Sequence, residues 1–278
     1  MASALLATAA ELGAAPEALV QAWAEVDRIA ARVERRRRAG RDEARGGEVA
    51  ALTAVVFDDL GFAREIDDDD PGFFLLPSVL AGRRGSCLGL GALYLMVAER
   101  IGLPLDGVRV PGHFFVRTRG SSRNVELLRR GEIMPDAWYR QKYGPWPEGG
   151  GRYFVPLSIE ETSALFWFNA GNFARRHGDL ARAGRAYERA AAEAPDFAEA
   201  HASLGLERQL EGALSEAERA YREAARTRAD LPGLRHNRAL LEEEERAAAG
   251  AHPLPEVRSS ETNVPHPGDH PHVHSDEQ

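Results

Sequence analysis

A chain of 278 residues is long enough to build more than one packed core, and its single cysteine excludes an intramolecular disulfide. The formal net charge of −8, in a chain that is 44% hydrophobic, excludes the basic footprint of a nucleic-acid binder spread over the whole surface. No window reaches the roughly 18 uninterrupted apolar residues of a membrane span, so a protein of a reducing compartment, the cytoplasm, is expected.

The opening "MASALLATAAELGAAPEALVQAW" lacks a basic start and meets Glu11 after about ten small apolar residues, which suits an amphipathic helix better than a secretory leader. A second helix is predicted from Pro16 to Arg38. It ends in the basic run Glu34 to Arg41, where cations complement the helix dipole and read as a solvated helix end. A third is predicted from Glu48 to Asp59. "EIDDDDPGFF" then breaks the pattern as an acidic loop, whose contiguous aspartates point in all directions and do not make a calcium site. After "LPSVLAGRRG", the stretch from Leu88 to Arg100 is apolar nearly all round, which marks a buried core helix, and Gly102 and Pro104 end it. "GVRV", "HFFVRT" and "RNVELL" read as short strands, with "PG" turning between the first two.

These elements bring chemistry-bearing residues toward one place. Cys87 falls at the first turn of the buried helix, where unpaired N–H groups and the dipole favour an anion; Arg83 and Arg84 just upstream would add to that effect. His113 opens the second strand and is expected at the sheet edge, facing the buried helix. Glu126 lies in the next strand among apolar neighbours, where a carboxylate is seldom left without a partner. Nucleophile, base and a group that orients the base are the parts of an activated thiol, so Cys87, His113 and Glu126 are the candidate catalytic residues. No cofactor or metal is called for. "WYRQKYGPWPEGGGRYF", from Trp138 to Phe154, has aromatic anchors and a glycine hinge and reads as the cover of a groove or, preferably, as a linker docking the next region.

From 157 to 247 the sequence is alanine-rich and helical throughout, and it repeats. Gly171, Gly178, Asp179, Ala183, Tyr187, Ala190 and Pro195 are answered 34 residues later by Gly205, Gly212, Ala213, Ala217, Tyr221, Ala224 and Ala229. That period and pattern resemble the tetratricopeptide repeat, a helix-turn-helix unit. Two units fit, 164–197 and 198–231, and "LPGLRHNRALLEEEERAAA" supplies a closing helix with a charged outer face. Ser158 is a predicted N-cap, with Glu161 completing a capping box. The tail 248–278 is too polar and Pro-rich to build a core; His266, His270, His272 and His274 suit a transition metal, but with no fixed geometry the tail reads as inert.

The segment "RRGSCLGLGALYLMVAERIGLPLDGVRVPGHFFVR" resembles the core of the SirB1-type branch of the transglutaminase-like superfamily, and the likeness extends over roughly residues 50 to 145. Members of that branch commonly carry tetratricopeptide repeats after the core, and many lack the cysteine. The resemblance implies a papain-like α+β core and maps the superfamily's Cys, His and Asp onto Cys87, His113 and Glu126. Glutamate thus stands where aspartate is usual, and "VELLRRGE" replaces a "DPFNGG"-like stretch.

The expected organisation is an N-terminal helical segment (1–48), a transglutaminase-like α+β core (49–156), an all-α tetratricopeptide-repeat solenoid (157–247) and a tail (248–278). The expected function is cysteine-dependent acyl transfer or amide hydrolysis, joined to a repeat groove that takes a protein or peptide partner. The alternative is a non-catalytic adaptor, with the core as a platform. A catalytic thiol would be partly accessible and beside His113, whereas a filler would be fully buried.

Overall fold

The computed structural model describes residues 2–40, 47–65, 70–146, 152–248 and 250. Asp67 to Asp69 of the acidic run, Gly149 to Gly151 of the hinge segment and the histidine-rich tail lie outside the described residues.

Pro16, with its preset φ, stands at the first position of a helix and begins α2 (Pro16–Arg38), which follows α1 (Ala2–Glu11). In α2 the residues Ala22, Val26, Ile29, Ala30 and Val33 form the buried stripe, spaced for a single helix face. Its basic end is less free than expected. Arg32 and Arg36 pair with Asp59, and Arg37 with Glu34 and Glu48, so the run fastens α2 to α3 (Glu48–Thr53) and to the π-helical turn Ala54–Asp59 that continues it.

A short helix absent from the sequence reading, α4 (Leu76–Gly82), comes next. It ends where Arg83 takes the left-handed conformation at φ 53°, and a two-residue parallel pairing of β1 (Ala63–Arg64) with β2 (Arg84–Gly85) leads straight into α5 (Cys87–Arg100). Every residue of α5 from Leu88 to Ala98 is buried, as an all-apolar helix requires.

Against α5 lies an antiparallel sheet in the order β3 (Leu105–Val110), β4 (His113–Thr118), β5 (Asn124–Glu126) and β6 (Glu132–Met134). Pro111 and Gly112 turn between β3 and β4, and Val110 pairs with His113. Phe114 is the contact that seats the sheet on the helix. A Cβ on Gly91 would stand 2.3 Å from its ring and one on Gly107 2.7 Å, so both glycines are spaces that the ring fills. Strand β6 and the following α6 (Asp136–Tyr143) are short, and neither was read from the sequence.

The rest of the described chain is helical: α7 (Ile159–Arg176), α8 (Leu180–Glu193), α9 (Ala198–Leu210), α10 (Leu214–Thr227) and α11 (Leu234–Ala248). The capping box of Ser158 and Glu161 is present at the start of α7. Tyr187 of α8 fills the space at Gly171 of α7, and Tyr221 of α10 repeats the contact at Gly205 of α9. The main apolar core runs without a break from Leu5 through the α5 region into α7 and α8 as far as Ala200. A second bond between the regions is polar. Arg109 of β3 and Arg228 share Glu199 at the start of α9, and Arg228 also donates to the Tyr153 hydroxyl at 2.7 Å. Among the described residues no helix is long and apolar enough to cross a membrane.

Candidate active site

The position of Cys87 follows from how α5 begins. Ser86 is the N-cap: its Oγ accepts from the Gly89 N–H at 3.3 Å, its carbonyl takes the Leu90 N–H, and its own N–H donates to the Phe73 carbonyl. The N–H groups of Cys87 and Leu88 therefore come before the first rung of the helical ladder. The thiol is half-buried. Arg83 and Arg84, expected to favour a thiolate, are engaged elsewhere: Arg83 donates to the Leu60 carbonyl, and Arg84 pairs with Glu65.

Alternation along β4 places His113. Phe114 and Val116 pack into the core around α5, while Phe115 packs on Tyr139 at 4.0 Å. His113 shares the Phe115 face, so its ring lies on the α6 side of the sheet, where it meets Cys87, the first residue of α5. Glu126 shares that face too. Continuing the register that pairs Val116 with Val125 sets Glu126 opposite Phe115, diagonal to His113, where neighbours are about 7–8 Å apart and a long side chain is needed to bridge. The extra methylene of glutamate supplies that reach.

The geometry is closely satisfied. His113 Nε2 lies 2.7 Å from Glu126 Oε2, with the two side chains 3% and 1% exposed. The other carboxylate oxygen accepts the Leu128 N–H at 3.0 Å, and the Tyr139 hydroxyl donates to Oε2 at 3.1 Å. The Cys87 side chain lies close enough to the imidazole to act on its proton affinity. Burial by itself would lower the affinity of His113 for a proton, but the nearby Cys87 and the bond to Glu126 outweigh it and raise the pKa to about 9. Burial likewise works to raise Glu126, and its bonds to His113, Leu128 and Tyr139 overcome it and hold the carboxyl below its ordinary range. Tyr139 and Tyr143 are pushed up, first by burial and then by the negative charge of Glu126.

The structure brings Cys87, His113 and Glu126 together and adds two residues that sequence reasoning did not single out. Tyr139 fixes the carboxylate. Tyr143 stacks on the imidazole at 4.7 Å between centroids, with the planes 4° apart. Both lie in the stretch read as a groove cover or linker. Their spacing is the signal that was there to find, since residues four apart share one helix face. Among the described residues no group of three or more histidine, cysteine or acidic side chains is arranged to hold a metal.

Over 71 residues the chain is 39% identical to UPF0162 proteins from two strains of Xylella fastidiosa, Temecula1 / ATCC 700964 and 9a5c, and each match covers 25% of this chain and 25% of the relative. The chain thus matches about a quarter of the length of those curated relatives. No solved structure matches. The family model of the transglutaminase-like superfamily matches residues 21–144, a stretch that contains Cys87, His113, Glu126, Tyr139 and Tyr143. Residues 21–144 are therefore a transglutaminase-like superfamily domain.

Proposed function

We propose that Cys87, His113 and Glu126 form a site for acyl transfer or amide hydrolysis, and that the helical pairs after it are tetratricopeptide repeats that present a peptide to it. One observation carries the reading: a buried imidazole hydrogen-bonded to a fully buried carboxylate and set beside a half-buried thiol. With Nε2 engaged by Glu126, Nδ1 is the nitrogen that serves the thiol.

The chemistry then follows. The Cys87 thiolate attacks an amide carbonyl carbon, and the carbonyl π pair moves onto oxygen. The N–H groups of Cys87 and Leu88 receive that oxyanion; loss of one such donor typically costs about 10² to 10³ in turnover. Collapse breaks the C–N bond, and His113 gives its proton to the departing amine, leaving a thioester on Cys87. Water or a second amine attacks the thioester and passes a proton to His113. The thiolate leaves and the starting state returns. Glu126 keeps the imidazole in one tautomer and stabilises its charged form throughout.

The imidazole is also nearly sealed, with Tyr143 over one face, and this favours a second reading in which the domain is a rigid platform and the repeats recruit a protein partner. Alkylation of Cys87 by iodoacetamide at neutral pH, followed by mass spectrometry, separates the two. The enzyme reading expects rapid labelling that slows at least about tenfold in His113→Asn. Slow labelling that the substitution leaves unchanged would sink it and leave the adaptor.

A further inference from the structure

We infer that Tyr143 is a positioning residue of this site: its stacked ring favours the charged imidazolium of His113 over the neutral imidazole and fixes the plane in which the ring meets Cys87. The inference rests on the proposed reading of Cys87 and His113 as the reacting pair, and it adds a residue to it.

The arrangement is specific to this pair. The two rings are 4.7 Å apart and parallel within 4°, whereas Tyr139 lies 6.4 Å from the same imidazole and spends its hydroxyl on Glu126. An aromatic face carries partial negative charge, so a parallel stack over it gains when the partner ring is cationic. The Tyr143 ring is itself steadied. Trp138 meets it edge-on at 6.0 Å and 73°, and the Gly144 N–H ends the helix by bonding back to the Arg140 carbonyl.

The charged and titratable groups around the imidazole come from each element packed on it. Helix α5 presents Cys87, strand β5 Glu126, and helix α6 Tyr139 and Tyr143. Glu126 acts at the ring edge, through the hydrogen bond to Nε2. Tyr143 acts on its face, a direction Glu126 does not cover. Lys142 Nζ lies 5.4 Å from the Tyr143 centroid and 4.7 Å from that of Trp138.

The test is an NMR titration of ¹³C-labelled histidines in the full chain, with the His113 signal identified by its loss in His113→Gln. Tyr143→Phe and Tyr143→Trp keep an aromatic face and are expected to keep the midpoint or raise it. Tyr143→Leu keeps the bulk without the face, and its midpoint is expected to fall by about one pH unit. An unchanged midpoint in Tyr143→Leu overturns the inference, and so does a fall in Tyr143→Phe as large as that in Tyr143→Leu, which would assign the effect to the hydroxyl. If Tyr143→Leu does not fold, the aromatic variants decide: a midpoint lowered in both overturns the inference, and one kept or raised sustains it. The readout needs no turnover. A midpoint that shifts while Cys87 alkylation does not sustains the stack and counts against the acyl-transfer chemistry instead.

Discussion

In the helical pairs, Tyr187 packs over Gly171 and Tyr221 over Gly205, each reaching back 16 residues to its own helical partner. In the transglutaminase-like domain, His113 finds Cys87 26 residues before it, Glu126 13 after it and Tyr143 30 after it. The first kind of contact is local and made twice. The second is made once, from separate elements, with no second copy to back it up. The repeats can lose a contact in one copy and keep the architecture, whereas a single truncation in the domain takes away both a buried charge partner and the arrangement around the thiol.

Glu126→Ala exploits that difference with the largest expected effect. It leaves the buried imidazole and the Tyr139 hydroxyl without their acceptor, and breaking one side of a buried pair typically costs about 3–5 kcal/mol. Urea unfolding at pH 7 measures the loss, and alkylation of Cys87 should slow with it. A loss under about 1 kcal/mol, the scale of an exposed pair, would show that the carboxylate is not holding the imidazole.

Titrating the pair is a gentler break. His113 is raised from 6.5 to about 9, so its contribution is fully present below the unfolded value and is lost as pH rises through 9. Glu126 is lowered, so its contribution is present above its unfolded value and is lost as pH falls. Both hold between those limits. Between pH 6.5 and 9 the histidine's share amounts to on the order of 3 kcal/mol, and Glu126→Gln, which removes one cause of the shift, should flatten the decline. Denaturant midpoints at several pH values check it. Stability that stays level in the unsubstituted protein across that window would contradict the pairing.

The same contrast explains what could be read in advance. Helix α2 and the start of α7 were legible, because Pro16 and the Ser158 capping box are local signals, and the 34-residue period recurs in the two tyrosine–glycine contacts. The strands holding His113 and Glu126 were legible from alternation, and Cys87 from its place before an all-apolar run. What escaped is what depends on tertiary contact. Helix α4 and strand β6 are too short to show a period, and Tyr143 matters only because β4 and α6 pack face to face. Arg83 and Arg84 were read by proximity in sequence to Cys87, yet the turn at Arg83 aims both at the neighbouring loop.

Two glycine substitutions sharpen the comparison at equal cost. A Cβ at Gly91 would stand 2.3 Å from the Phe114 ring, and one at Gly205 2.6 Å from the Tyr221 ring, so each alanine overpacks a buried aromatic by about 1–3 kcal/mol. Their consequences should differ. Phe114 adjoins His113, so Gly91→Ala is expected to shift β4 and slow Cys87 alkylation. Gly205→Ala should lower the unfolding midpoint by a comparable amount and leave alkylation as it was. Equal effects on alkylation would mean that the repeats and the site respond as one unit.

The smallest effect is a gain, and it comes from setting one repeat beside the other. Asp179 and Ala213 occupy equivalent N-cap positions with nearly the same backbone, φ −87° and ψ 72° against φ −84° and ψ 62°. Asp179 Oδ1 accepts the Arg182 N–H at 3.0 Å, while Ala213 has no side chain to offer and the Glu216 N–H falls back on the Ala213 carbonyl. Ala213→Asp should therefore install the missing cap and stabilise the chain by roughly 0.5–1 kcal/mol, read as a rise in the denaturation midpoint. Glu216 brings a like charge close by, but its pairing with Arg208 limits the repulsion, and Ala213→Asn separates cap from charge. A gain in both variants with alkylation unchanged would show that the repeat answers to local rules alone. No gain in either would mean that something beyond the cap sets the turn before α10.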